Sequence, residues 1–141
     1  MITVEKLIET ARSYLGVPYR HQGRTRKGVD CLGLVIACAN DLKVPIADST
    51  AYSTKVDTEN LLNGILAHAQ QTEKIVVKPG YLALMQFVKE AGATHTALIT
   101  ERGIIHSYNK RGKVVEHRLN DVWEKRIVAT FKLNGVTYEQ Q

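Results

Sequence analysis

Residues 28–40 read Gly28-Val29-Asp30-Cys31-Leu32-Gly33-Leu34-Val35-Ile36-Ala37-Cys38-Ala39-Asn40. From Cys31 to Ala39 every residue is apolar or small, so the segment has no wet face and must run through the middle of a fold. Its alanines, and Asp30 as a ready N-cap, favour a helix from Cys31 to Asn40 over a strand. Such a helix carries a thiol at its first turn, where unpaired N–H groups and the macrodipole favour an anion. The rest of the chain has to build a shell around that helix.

Upstream, Val4, Leu7, Ile8, Ala11 and Leu15 recur at helical spacing behind Thr3, which predicts a helix over 4–15 that Gly16-Val17-Pro18 stops. A polar loop over 19–29 follows. It holds the densest positive charge of the chain, Arg20, Arg24, Arg26 and Lys27, expected to be a solvated surface. Downstream, a third helix is expected over 58–70, burying Leu61, Leu62, Ile65, Leu66 and Ala69. The second half changes character. Short β-rich runs at 75–77, 81–88, 94–100, 103–108, 113–119 and 127–133 read as strands, with a helical turn near 120–125. Helices first and strands afterwards define an α+β domain, one unit over 1–141, with N-terminal helices packed on an antiparallel sheet.

A chain of 141 residues is long enough to bury a core of this kind. No apolar run reaches the ~18 residues of a membrane span. Met1 to Lys6 lacks a basic segment leading into an apolar one, so synthesis in the cytoplasm without a signal peptide is the expectation. The formal net charge of +5 favours anionic partners, but no aromatic-rich basic motif accompanies it, so nucleic acid is not expected among them.

The two cysteines lie seven positions apart, roughly 10 Å along a helix, too far for a disulfide. They lack a second pair for a zinc site, and neither metal nor cofactor is expected. Cys31 is the candidate nucleophile and Cys38, two turns deeper, a small core residue. Asp30 opposes thiolate formation at its neighbour, so a cationic histidine partner is required to outweigh it.

Of five histidines, His21 in the basic loop and His68 on the third helix are expected at the surface. His95 and His106 lie on consecutive strands. A two- or four-residue hairpin loop between them gives paired positions an odd sum, so His106 falls opposite Ala97 or Ile99 and shares a face with His95. In the tighter register the two histidines are diagonal neighbours, roughly 7 Å apart at Cα, which suits a base and its orienting group. The competing structural reading is two histidines on a half-exposed sheet.

Around these residues the sequence resembles the NlpC family of papain-like cell-wall cysteine peptidases, especially its short phage-tail versions. The likeness begins with Tyr14-Leu15-Gly16-Val17-Pro18-Tyr19 and Asp30-Cys31-Leu32-Gly33-Leu34-Val35, and continues through Lys78-Pro79-Gly80, His95-Thr96-Ala97-Leu98 and Ile105-His106-Ser107. It implies a papain-like fold with Cys31 as nucleophile, His95 as general base and His106 as orienting residue. Asn109 and Glu116 also stand near enough in sequence to be the third member. It further implies that Tyr19 lines the site and donates to the oxyanion, with Asp30 as substrate-binding group or cap. The implied activity is hydrolysis of peptidoglycan stem peptides, between γ-D-glutamate and a diamino acid, through a thioester. The implied setting is the cell wall, reached by delivery with phage tail proteins. A secreted antibacterial amidase, a tail assembly component with a vestigial site, and acyl transfer to an acceptor other than water are the alternatives. The chain departs from the family at Arg20-His21-Gln22-Gly23 after the tyrosine, at Leu32 after the cysteine and at Tyr81 after Pro-Gly.

Overall fold

The computed structural model describes residues 2–44, 58–67 and 69–138. A short strand β1 (Ile2–Thr3) leads into α1 (Val4–Arg12), whose N-cap Thr3 accepts a hydrogen bond from the Lys6 N–H at 3.1 Å. Leu7, Ile8 and Ala11 are buried as the periodicity requires. The helix ends a turn before Leu15, which is exposed, because the chain reverses at Gly16 with φ +86°.

The polar loop folds back on itself as β2 (Arg24–Thr25) and β3 (Gly28–Val29), an antiparallel pair. Its charges are not merely solvated. Arg24 Nη1 sits 3.2 Å from Asp30, and Arg26 Nη2 sits 3.1 Å from Asp41 while its guanidinium covers the Tyr14 ring at 4.1 Å. Asp30 and Asp41 mark the two ends of α2 (Cys31–Asp41), so the loop is tied along the full length of the central helix. That helix is buried at every position from Cys31 to Ala39.

The third helix, α3 (Thr58–Leu66), is shorter than its apolar pattern suggested. Leu61 and Ile65 face the core and Leu66 is exposed, while the Leu62 side chain and His68 lie outside the described residues. Ala69 opens a strand instead, β4 (Ala69–Gln71), because the free edge of a later strand supplies backbone partners there: Ala69 pairs with Leu133. Residues 75–77 form no strand. Ile75 and Val77 are exposed, and the Val76 N–H donates to the Thr130 hydroxyl at 2.9 Å rather than to a ladder.

The remaining strands are β5 (Leu82–Met85), β6 (His95–Thr100), β7 (Gly103–Tyr108), β8 (Lys113–His117) and β9 (Ile127–Leu133). A single-turn helix α4 (Asp121–Glu124), capped by Asn120, precedes β9, and β10 (Val136–Thr137) pairs in parallel with β1. The main sheet runs β4-β9-β5-β6-β7-β8 with every neighbouring pair antiparallel. Alternation divides its two faces. Leu82, Leu84, Leu98, Ile105, Val114 and Phe131 join Leu7, Ile8 and Leu34 from the helices in the larger core. Ala83, Met85, Ala97, Ile99 and Ile104 form a second apolar layer behind it, flanked by Phe87, Leu119 and Trp123.

Candidate active site

Cys31 begins α2 where the loop closes over the helix. The Asp30 carboxylate accepts from the Gly33 N–H at 2.7 Å through one oxygen and from the Gln22 N–H at 2.8 Å through the other. Of the two roles open to Asp30, the structure displays the cap, with the residue buried and Arg24 beside it. Gly33 is required for this closure, since a Cβ there would stand 2.0 Å from the Gly23 carbonyl oxygen. One short stretch, Asp-Cys-Leu-Gly, thus caps the helix, positions the thiol and admits the loop.

The Cys31 thiol is 6 % exposed and pushed up to about 12, first by burial and then by the Asp30 charge. The backbone N–H groups of Thr96, Leu32 and Cys31 itself pull in the opposite direction. The Thr96 contact brings the sulfur against the start of β6, one residue from His95. Tyr19, half-buried, stands close enough for the Cys31 and Asp30 charges to add to the burial that lifts its hydroxyl to about 12. It is therefore a neutral phenol, able to donate.

The β6–β7 hairpin has the two-residue loop Glu101-Arg102, with Thr100 opposite Gly103 and Leu98 opposite Ile105. The next step sets His106 beside Ala97, on the His95 face. His95 Nε2 and His106 Nδ1 approach to 2.6 Å. Burial, reinforced by the Arg126 and His117 charges, lowers His95 to about 3. Burial, followed by His95 and His117, lowers the wholly buried His106 to about 2. Both rings are neutral at rest, and so is the thiol. Among the described residues no hydrogen bond joins Cys31 to His95.

The other candidates for the third position lie elsewhere. Glu116 projects from the opposite face of the sheet, where it pairs with Arg12 at 2.8 Å and accepts from the Thr100 hydroxyl at 2.7 Å. Asn109 is exposed in the turn after β7. Cys38 is a buried free thiol in the larger core. His21 is half-buried in the loop.

His117 was passed over in the sequence. Its Nε2 lies 2.9 Å from His106 Nε2, and its Nδ1 lies 2.9 Å from the Arg118 carbonyl oxygen. The signal was present, because the even-length turn 109–112 places His117 opposite Ile104, diagonal to His106 on the same face. An aromatic shell surrounds the three rings. Phe87 stacks on His95 at 5.4 Å, Tyr108 stacks on His106 at 5.1 Å, and Trp123 meets His106 edge-on at 5.2 Å. The histidines form a line rather than a convergent set, and among the described residues no group of acidic, cysteine or histidine side chains is arranged to hold a metal.

A buried helix opening on a cysteine, set against an antiparallel sheet that carries paired histidines, defines a papain-like domain. The NlpC/P60 family pattern matches residues 16–132, and the chain belongs to that family. The probable endopeptidase NlpC of Escherichia coli K12 is 26% identical over 125 residues, which span 84% of this chain and 71% of that protein. An NlpC/P60 family protein from Bacillus cereus superposes with a TM-score of 0.67 at 20% identity, over 90% of this chain but 39% of the other. The NlpC/p60 domain of the peptidoglycan hydrolase SagA superposes with a TM-score of 0.56 at 16% identity, covering 93% of this chain and 97% of that domain. The chain thus spans nearly all of the SagA domain and about two fifths of the length of the Bacillus protein. These likenesses carry the fold, and the family is one of cell-wall hydrolases.

Proposed function

We propose that this protein is a cysteine endopeptidase of peptidoglycan that cuts stem peptides between γ-D-glutamate and a diamino acid. The observation that carries the reading is the Cys31 thiol held at the first turn of α2 against β6, whose first residue, His95, is hydrogen-bonded to His106 at 2.6 Å. The relatives support the substrate class, one being a probable endopeptidase and another a domain of a peptidoglycan hydrolase.

With thiol and imidazole both neutral, the reaction starts by general base catalysis rather than from a preformed ion pair. The Cys31 proton passes to His95 Nδ1 as sulfur attacks the amide carbon. The new imidazolium is held by His106 through Nε2. Negative charge on the carbonyl oxygen meets the Cys31 N–H at the helix N-terminus and the Tyr19 hydroxyl. His95 then protonates the departing amine, leaving a thioester that water, deprotonated by His95, hydrolyses. Asp30 acts through structure, fixing the loop that walls the site. Delivery to the wall by a phage tail would bring the enzyme to its substrate.

Digestion of purified Gram-negative peptidoglycan with wild type and Cys31→Ala, read by mass spectrometry, tests this. Stem-peptide fragments ending at γ-D-glutamate should be released by the wild type alone. No fragments from reduced, folded wild type would sink the proposal and favour an assembly role or another acyl substrate.

A further inference from the structure

We propose that His117 is a positioning residue that sets the proton pattern of the whole histidine line, so that His95 presents a lone pair at Nδ1 to Cys31. The proposal rests on the catalytic reading above, in which His95 is the base.

The argument starts at the outer end of the line. The Arg118 carbonyl oxygen can only accept, so the 2.9 Å contact requires a proton on His117 Nδ1. In a neutral imidazole this leaves His117 Nε2 as an acceptor. The 2.9 Å contact with His106 Nε2 then requires the proton to be on that nitrogen of His106. His106 Nδ1 is thereby an acceptor, and the 2.6 Å contact places a proton on His95 Nε2. His95 Nδ1 is left unprotonated, as a base must be. One backbone carbonyl, through three rings, chooses the reactive nitrogen.

The opposite pattern would turn the enzyme off. If the group at position 117 donated to His106 Nε2, His106 would donate from Nδ1 to His95 Nε2, and the His95 proton would sit on Nδ1, the nitrogen that the proposed mechanism uses to accept the thiol proton. A doubly protonated His106 would have the same effect, and its complete burial opposes that charge. The backbone holds the arrangement in place: Gly103 has φ +137°, and a Cβ there would stand 2.0 Å from the His117 carbonyl oxygen. The aromatic shell limits tilting of the rings, with Trp123 4.9 Å from His117 and 5.2 Å from His106.

The test separates acceptance from packing. His117→Gln keeps an acceptor within reach of His106, His117→Leu offers none, and His117→Lys offers only donors. Full-length protein labelled with 15N at histidine is examined by NMR, where ring nitrogen shifts report which atom is protonated. Wild type and His117→Gln should show His95 protonated at Nε2. His117→Leu should show a mixture, and His117→Lys mainly Nδ1 protonation. On soluble stem-peptide substrate, kcat should be near wild type for Gln, fall about tenfold for Leu and about a hundredfold for Lys, with KM little changed. An unchanged His95 tautomer and kcat in both the Leu and Lys variants would overturn the proposal, and the Leu result alone would do so if the Lys variant does not fold. Because the NMR pattern is independent of turnover, an inactive wild type would refute the catalytic reading while the tautomer pattern still decided this one.

Discussion

The two faces of the six-stranded sheet are built from different materials. One presents Leu82, Leu84, Leu98, Ile105 and Phe131 to the helices, where dispersion and the hydrophobic effect hold the elements together. The other carries His95, His106 and His117 beneath Phe87, Tyr108 and Trp123, a layer in which ring contacts and three directional hydrogen bonds fix positions. The first face tolerates apolar exchange of similar volume. The second is sensitive to which nitrogen holds a proton. Stability and chemistry are therefore separable in this domain, and the thiol sits where the central helix joins them.

The sharpest contrast comes from removing the nucleophile. Cys31→Ala should reduce peptidoglycan cleavage by about a thousandfold or more with little change in thermal midpoint. His106→Ala should lose less activity than Cys31→Ala or His95→Ala, because it orients the base rather than reacting. Activity equal to wild type would remove it from the mechanism. On the other face, Phe131→Ala should cost about 3–5 kcal/mol by denaturant unfolding, through lost burial and the cavity left behind, while the folded fraction keeps its turnover number. A smaller loss, about 1–2 kcal/mol, is expected for Asp30→Ala, which uncaps α2 and frees the loop. It should affect both activity and stability, because Asp30 belongs to the junction.

The smallest expected effect is also the most specific to the histidine face. His95 and His106 have folded values of about 3 and about 2, below the ordinary 6.5. Unfolding therefore takes up protons below pH 6.5. Stability from these groups is complete above that pH and is lost progressively as pH falls toward 3. Urea midpoints measured from pH 7.5 to 4 should decline from about 6.5 downward, and the decline should be shallower in His106→Leu. A wild-type midpoint constant over that range would show that these histidines are not held neutral.

Elements whose periodicity spans their length were legible in the chain. Strands 103–108 and 127–133 have the bounds that alternation predicts, and α2 differs by one residue. The strands of two or three residues, β1, β2, β3, β4 and β10, were not legible, because each is defined by a partner rather than by its own pattern. Ala69 shows this most clearly, since it continues the apolar spacing of Leu61 and Ile65 in α3, and pairing with Leu133 makes it a strand. The ion pairs of the basic loop were illegible for a related reason, although Arg20, Arg26 and Lys27 are exposed as expected. Arg26 finds its partner at Asp41, fifteen positions away, and no local rule links the two. Within the site, hairpin parity brought His95 and His106 together. The same parity applied to the turn 109–112 would have reached His117.

The loop over 19–29 is fastened to α2 at both ends, through Asp30 and Asp41, and it seats its Gly23 carbonyl against Gly33. For an engineer seeking a new specificity, this makes the wall of the site and the mount of the nucleophile one exchangeable cassette. A foreign loop spliced between Tyr19 and Val29 would need to bring its own N–H for the Asp30 carboxylate and a backbone carbonyl that seats against Gly33 as Gly23 does. Without these, an altered binding surface would come with a misplaced thiol.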